Sequence, residues 1–384
     1  MTRIVIRGGD VVLPDRVAER HAVVIEDGAV AAVVPGGDAR AGGDVVDVTG
    51  ALVLPGFVDM HVHGVGGRDV LDGPGAVAAI ARILPRFGVT AWCPTSVACS
   101  AESLDALLTE VAAVGASFGV GARVLGAHLE SNFINPAFRG AQPAEWLRTP
   151  AEGRDVLEVI RRHRAEVATL TMAPEIPGGE ALLAALIADG IRVSLGHSAA
   201  TFEQAEDAFR AGARGATHLF NRMPPLAHRD PGLAGAALAR DDVVVELIGD
   251  GWHVHPAVMR MVWAAKGAAQ VAAISDGTAG AACPRGTQAR LGGRSVLVGE
   301  VARLDDGTVA GSVATISEVW SRWVHEVRVP LVDASWMCAA TPAAAVGRPD
   351  LGRIVTGAPA DLVAVDPGGQ VRHTWIGGAH VFGR

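Results

Sequence analysis

Residues 57–96 read FVDMHVHGVGGRDVLDGPGAVAAIARILPRFGVTAWCPTS. Two short apolar runs, FVDMHVH (57–63) and VTAWCPTS (89–96), flank the helix-like segment AVAAIARILPRF (76–87), which is the pattern of a β-strand, a crossover helix and a second strand. The same alternation continues through strand candidates RVLGAHLE (123–130), VATLTMAPE (167–175), RVSLGHS (192–198), GATHLFN (215–221), VVVELIGD (243–250) and VAAISDG (271–277). Helix-like stretches such as SLDALLTEVAAV (103–114), GRDVLEVIRRH (153–163) and EQAEDAFRAG (203–212) lie between them. Eight strands alternating with helices from Pro55 to Val346 call for a parallel sheet, and that length suits an α/β chain folded as a TIM (β/α)8 barrel. A doubly wound open sheet is the runner-up. It would carry a glycine-rich phosphate turn after its first strand, and HGVGGRD (63–69) lacks the GxGxxG spacing. Beyond the eighth strand, residues 286–312 read as a β-hairpin excursion.

The two ends of the chain differ from its middle. RIVIRGGDVVL (3–13), HAVVIEDGAVAAVV (21–34) and DVVDVTGALVL (44–54) alternate in the β manner, and ADLVAVDPGGQVRHTWIGGAHVF (360–382) has the same texture. The expectation is a small β-sandwich domain made of 1–54 with 347–384, attached to a barrel of 55–346.

With 384 residues, 49% hydrophobic and 19% charged, the chain can bury a large core. A net charge of −8 without blocks of like charge offers no basic surface for nucleic acid or anionic lipid. The first fifteen residues lack the continuous apolar core of a signal peptide, and no apolar run is long enough to span a bilayer, so a cytoplasmic location is expected. The four cysteines, Cys93, Cys99, Cys283 and Cys338, have no CxxC spacing, which fits reduced thiols rather than a disulfide framework.

Polar residues gather where the strands should end. His61 and His63 close the first strand, Glu130 the third, His197 the fifth and Asp276 the eighth, while His218 lies in the sixth. In a TIM barrel these positions share one rim. The HxH spacing puts both rings on one face of a strand, and neutral imidazoles with a carboxylate are ligand types that zinc prefers. Any one of these histidines taken alone is more simply a buried, hydrogen-bonded side chain, but six such residues on one rim point to a metal. Many barrel hydrolases bridge two metals with a carboxylated lysine. The only lysine here, Lys266, lies in a helical segment away from any strand end, which leaves Glu130 as the anionic ligand. Asp276 is either a further ligand or the general base beside a metal-activated water.

PGFVDMHVHG (55–64) resembles the opening of the amidohydrolase superfamily barrel. HLE (128–130), GHS (196–198), GATHLFN (215–221), DPGLAGAAL (230–238), DGWHVHP (250–256), SDG (275–277) and AGS (310–312) resemble the N-acetylglucosamine-6-phosphate deacetylase family of that superfamily through nearly the whole chain. The resemblance implies a metal held by Glu130, His197 and His218, with His61 and His63 able to hold a second ion, and Asp276 as the catalytic acid/base. Zinc is the first expectation for one or two divalent ions, with Fe2+, Mn2+ and Co2+ as alternatives. It also implies a phosphate grip by Asn221, Arg229 and His253, with a backbone contact at Arg222. Arg229 and His253 would come from the neighbouring subunit of a homodimer. The implied substrate is a phosphorylated N-acetyl amino sugar, and the implied reaction releases acetate.

One loop departs from the family pattern. HLESNF (128–133) stands where HLEGPF is usual, and RGAQ (139–142) where KGAH is usual. Ser131, Asn132, Ala141 and Gln142 are therefore candidate substrate contacts that shift acyl or sugar specificity. Gln142 can donate an amide N–H to an oxyanion but carries no proton to transfer. Rival readings are another metallo-amidohydrolase, disfavoured by THLFN (217–221) together with RDPG (229–232), a deacetylase of an isomeric or biosynthetic N-acyl amino sugar, and a catalytically silent sugar-phosphate binder.

Overall fold

The computed structural model describes residues 2–38, 43–117 and 121–383. Its centre is a parallel barrel of strands β1 (Phe57–Val62), β2 (Val89–Ser96), β3 (Ala127–Glu130), β4 (Val167–Met172), β5 (Val193–Leu195), β6 (Gly215–Ala216), β7 (Val244–Ile248) and β8 (Val271–Ile274). Each strand pairs with the next in chain order. The ring closes past the end of β8: Asp276 donates its N–H to the His61 carbonyl, and His63 and Gly64 donate theirs to the Gly277 carbonyl.

Helices follow the strands as the periodicity requires. In the helix Ala101–Gly115, Leu104, Leu107, Leu108 and Val111 are buried at spacings of one helical face. Ser100 caps its start by accepting from the Ser103 N–H. The helix Phe202–Arg210 begins with a capping box between Thr201 and Gln204. Trp92, Leu108, Ile160, Leu170, Phe209 and Trp320 share the core between the barrel and its helices. Lys266, at the end of a helix over Pro256–Lys266, donates to the carbonyls of Ala237 and Arg240, where a helix over Gly232–Ala239 runs out of backbone partners. All four cysteines are unpaired.

Several strands are shorter than their apolar runs suggest. RVLGAHLE is broken at Gly126 (φ 102) into Arg123–Val124 and β3, and GATHLFN contributes only Gly215–Ala216. His218 accordingly lies beyond the sixth strand, with a positive φ of 31 that no extended ladder accommodates.

The chain ends build two further sheets. A four-stranded sheet has the order Ala29–Pro35, His21–Glu26, Arg3–Arg7, Asp44–Asp47. A six-stranded one joins Leu52–Pro55 from the N-terminal part to Leu362–Val365 from the C-terminal part. Ile6, Val23, Val53, Leu362 and Trp375 form their shared interior. After β8, Gln288–Leu291 and Arg294–Val298 pair as the expected hairpin, and Ala302–Arg303 adds a short third strand. No described helix is long and apolar enough to cross a membrane.

Candidate metal centre and active site

Glu130 is the last residue of β3 and is buried. Its Oε1 is 2.8 Å from His197 Nε2 and 2.8 Å from His218 Nε2, and the two ring nitrogens are 3.1 Å apart. Close packing of β5 on β6 makes this convergence possible. A side-chain carbon at Gly196 would come within 2.8 Å of Thr217 Cβ, so only glycine fits just before His197. Both histidines then leave the ladder in left-handed backbone, at φ 48 and 31, as does Asp276 at φ 50, and this turns the side chains toward a common point.

His61 and His63 approach from β1. Glu130 lies 4.0 Å from His61 Nε2 through Oε1 and 3.6 Å from His63 Nε2 through Oε2, while Asp276 Oδ1 is 3.5 Å and 3.3 Å from the same two nitrogens. Three of the four rings are held by their other nitrogen. His61 Nδ1 is 2.8 Å from a Glu246 carboxylate oxygen, and the Nδ1 atoms of His63 and His197 donate to the carbonyls of Thr95 and Phe138. Such bonds leave Nε2 as the nitrogen free to coordinate. His61 Nε2 is buried without a hydrogen-bond partner.

The ionisable groups of the site perturb one another strongly. Burial opposes charge on His63, yet its hydrogen bond with Asp276 and the charges of Glu130 and Asp276 raise it to about 9. His61, fully enclosed, is pushed down by burial to about 3. Burial would raise Glu130, but the charges and hydrogen bonds of His197 and His218 hold it well below the ordinary carboxylate range. Glu130 with His197 and His218 forms one group with metal-ligand spacing, and His61 with His63 and Glu130 forms another. Nitrogen and carboxylate donors in this number fit a divalent transition ion.

These groups open on a cavity of about 530 Å³, the size of a small-molecule site. His63, Glu130, His197, His218 and Asp276 form its floor, and Ala141, Gln142, Asn221, Arg222 and His253 stand around it. Gln142 donates its amide to Glu130 Oε2 and accepts the Ala98 N–H at 2.7 Å. Ser131 and Asn132 do not line the cavity. Ser131 donates to the Thr171 carbonyl, and Asn132 donates to the carbonyls of Cys99 and Trp146, so both side chains hold the loop that carries Gln142.

His253 faces the cavity of its own chain, with Nδ1 2.7 Å from Asp250. This differs from the expectation that it reaches in from a neighbour. Arg229 is exposed and outside that cavity, so with Ser131 and Asn132 it is an expected contact that the single chain does not bring to the cavity. Sequence reasoning missed the apolar wall made by Phe138, Phe220 and Ile248 and the edge of the hairpin unit, Arg303 and Val309–Gly311. It also missed Glu246 and His128, buried beneath His61. Their only signals were a carboxylate inside VVVELIGD and a histidine two residues before Glu130.

A parallel eight-stranded barrel whose C-terminal rim presents such a donor set is the framework of a metal-dependent hydrolase. The chain belongs to the amidohydrolase family, which residues 52–381 match, and its members cleave amide C–N bonds with the help of a metal. An N-acetylgalactosamine-6-phosphate deacetylase of Escherichia coli O157:H7 is 35% identical over 361 residues, covering 93% of this chain and 94% of the relative. An N-acetylglucosamine-6-phosphate deacetylase of Vibrio furnissii is 32% identical over 363 residues, covering 94% and 90%. The crystal structure of N-acetylglucosamine-6-phosphate deacetylase from Pasteurella multocida matches with a TM-score of 0.91 at 26% identity over 98% of this chain and 99% of that one. A mutant of the Mycobacterium smegmatis enzyme, in complex with N-acetyl-D-glucosamine-6-phosphate, matches with a TM-score of 0.90 at 30% identity over 99% and 100%.

Proposed function

We propose that this protein is a cytoplasmic metal-dependent deacetylase of N-acetyl amino sugar 6-phosphates, with N-acetylglucosamine 6-phosphate as first substrate and acetate and glucosamine 6-phosphate as products. The observation that carries this reading is the convergence of Glu130, His197 and His218 within hydrogen-bond distance, beside Asp276, on the floor of one cavity. Glu130, His197 and His218 would hold one divalent ion, zinc foremost, and His61 and His63 would share Glu130 with a second. When bound, such an ion polarises the acetyl carbonyl and lowers the pKa of water toward neutrality.

Asp276 takes the proton from the attacking water and delivers it to the departing nitrogen. The ring closure that fixes its backbone to His61 supports this role. Gln142, whose amide donates one N–H to Glu130 Oε2, has its second N–H for the developing oxyanion. Asn221, the Arg222 backbone and His253 position the phosphate, and Arg229 completes the grip from a second copy in a homodimer. The division into a β-sandwich unit of 1–54 with 347–384 and a catalytic barrel of 55–346 belongs to the same proposal, and the separate interior of the two end sheets supports it.

The relative from Escherichia coli O157:H7 named for the galactosamine isomer, together with Gln142 in place of the usual histidine, favours a second reading in which the sugar is the isomeric one. Acetate release from both 6-phosphates and from their unphosphorylated forms tests the two readings. Dominant turnover of the glucosamine isomer removes the second, and no turnover of any phosphorylated sugar by the metal-loaded protein removes both.

A further inference from the structure

We infer that Glu246 is the positioning residue that makes His61 a metal ligand. The inference rests on the proposed metal-holding role of His61 and His63. Glu246 lies in β7, with its side chain 2% exposed beneath the rim, and its Oε2 is 2.8 Å from His61 Nδ1. The His61 side chain is completely enclosed. With Oε2 of Glu246 accepting the Nδ1–H, the tautomer is fixed and a bare Nε2 turns toward Glu130 and Asp276. The opposite tautomer would aim an N–H at the same point and exclude a cation.

His61, His128 and Glu246 also lie close enough to suggest a separate ion site, but the hydrogen bonds argue against one. His128 engages both nitrogens, Nδ1 with the Met60 carbonyl at 3.1 Å and Nε2 with Thr171 Oγ1 at 2.7 Å. The nitrogen of His61 that faces Glu246 is the one engaged by it, which leaves too few free donors for an ion. The group beneath the rim therefore serves the ion above it.

Glu246 touches the second half of the site differently. Its backbone carbonyl accepts the N–H of Leu219, the residue after His218. Replacing the side chain leaves that bond in place, so the ion held by Glu130, His197 and His218 is retained while the one that needs His61 is weakened.

The test is metal stoichiometry by mass spectrometry and equilibrium dialysis of the full chain with Zn2+, together with the visible spectrum of the Co2+ form. The wild-type protein is expected to bind two ions. Glu246→Leu is expected to keep one and to lose the spectral component of the second. Glu246→Gln, whose amide oxygen still accepts the Nδ1–H, is expected to keep two with the second about tenfold to a hundredfold weaker. Two ions of wild-type affinity in Glu246→Leu overturn the inference. So does a wild-type chain that never takes more than one ion. Should the Leu variant not fold, an unchanged second affinity in Glu246→Gln overturns it alone. Acetate release is not the readout, so failure of the deacetylase reading with the expected stoichiometry leaves this assignment standing, and the reverse result removes only the assignment.

Discussion

Replacing Asp276 with Asn separates proton transfer from everything else the residue does. Asp276 sits at φ 50, a left-handed conformation that Asn accepts more readily than most residues. Its backbone bonds, N–H to the His61 carbonyl and carbonyl from the Ser312 N–H, are independent of the side chain. An amide oxygen can occupy the place of Oδ1, now 3.3 Å from His63 Nε2. What disappears is the ability to take up a proton. A positioned general acid/base is worth about 10²–10⁴ in rate, or about 3–5 kcal/mol in the barrier at 1.36 kcal/mol per tenfold. Asp276→Asn, assayed for acetate release at saturating metal, is therefore expected to lose about two to four orders of magnitude in kcat with KM near the wild-type value. Thermal melting and metal content serve as controls for folding and loading. A kcat within tenfold of wild type, at equal metal content, would refute the assignment of the proton to Asp276.

Gln142→Ala removes the N–H offered at the acetyl group and is expected to lower kcat on the order of a hundredfold, with little change in KM in steady-state kinetics. Arg229→Ala is expected to raise KM for the phosphorylated sugar and to leave the unphosphorylated one unaffected. If Arg229 crosses a dimer interface, mixing it with Asp276→Asn restores activity above the sum of the two, because one site per mixed dimer keeps both residues; no gain on mixing would place Arg229 elsewhere. Asp361 accepts two bonds from Arg123, at 2.8 and 3.1 Å, and one from the Gly377 N–H at 2.6 Å, which ties the end sheets to the barrel. Because Arg123 is 23% exposed, Asp361→Ala is expected to destabilise by about 2 kcal/mol rather than the larger figure of a fully buried pair, read as a lower midpoint in urea.

The barrel was legible because buried parallel strands write themselves as apolar runs, and helices between them as periodic ones. His61, His63, Glu130, His197 and Asp276 were legible for the same reason, since a polar residue that ends an apolar run is costly to bury unless a partner at the strand tip compensates it. His218 is expected among the ligands but inside its strand, because composition does not record the positive φ that ends β6 early. Ser131 and Asn132 were singled out by their difference from a motif, and a motif does not say which way a side chain points; both turn into the loop. Glu246 and His128 escaped because one carboxylate or imidazole within a strand looks the same whether it faces a helix or the barrel axis.

The left-handed backbone at His197, His218 and Asp276 sets this protein's function against its heat resistance. His197 and His218 each carry about 1–2 kcal/mol relative to glycine, a sizeable part of the roughly 5–15 kcal/mol by which a typical domain holds its fold. Laboratory selection for thermal survival alone is then expected to replace these residues with glycine or asparagine early, yielding tougher proteins without a reaction. Stabilisation that preserves the chemistry has to be sought elsewhere, in the helices and the end sheets.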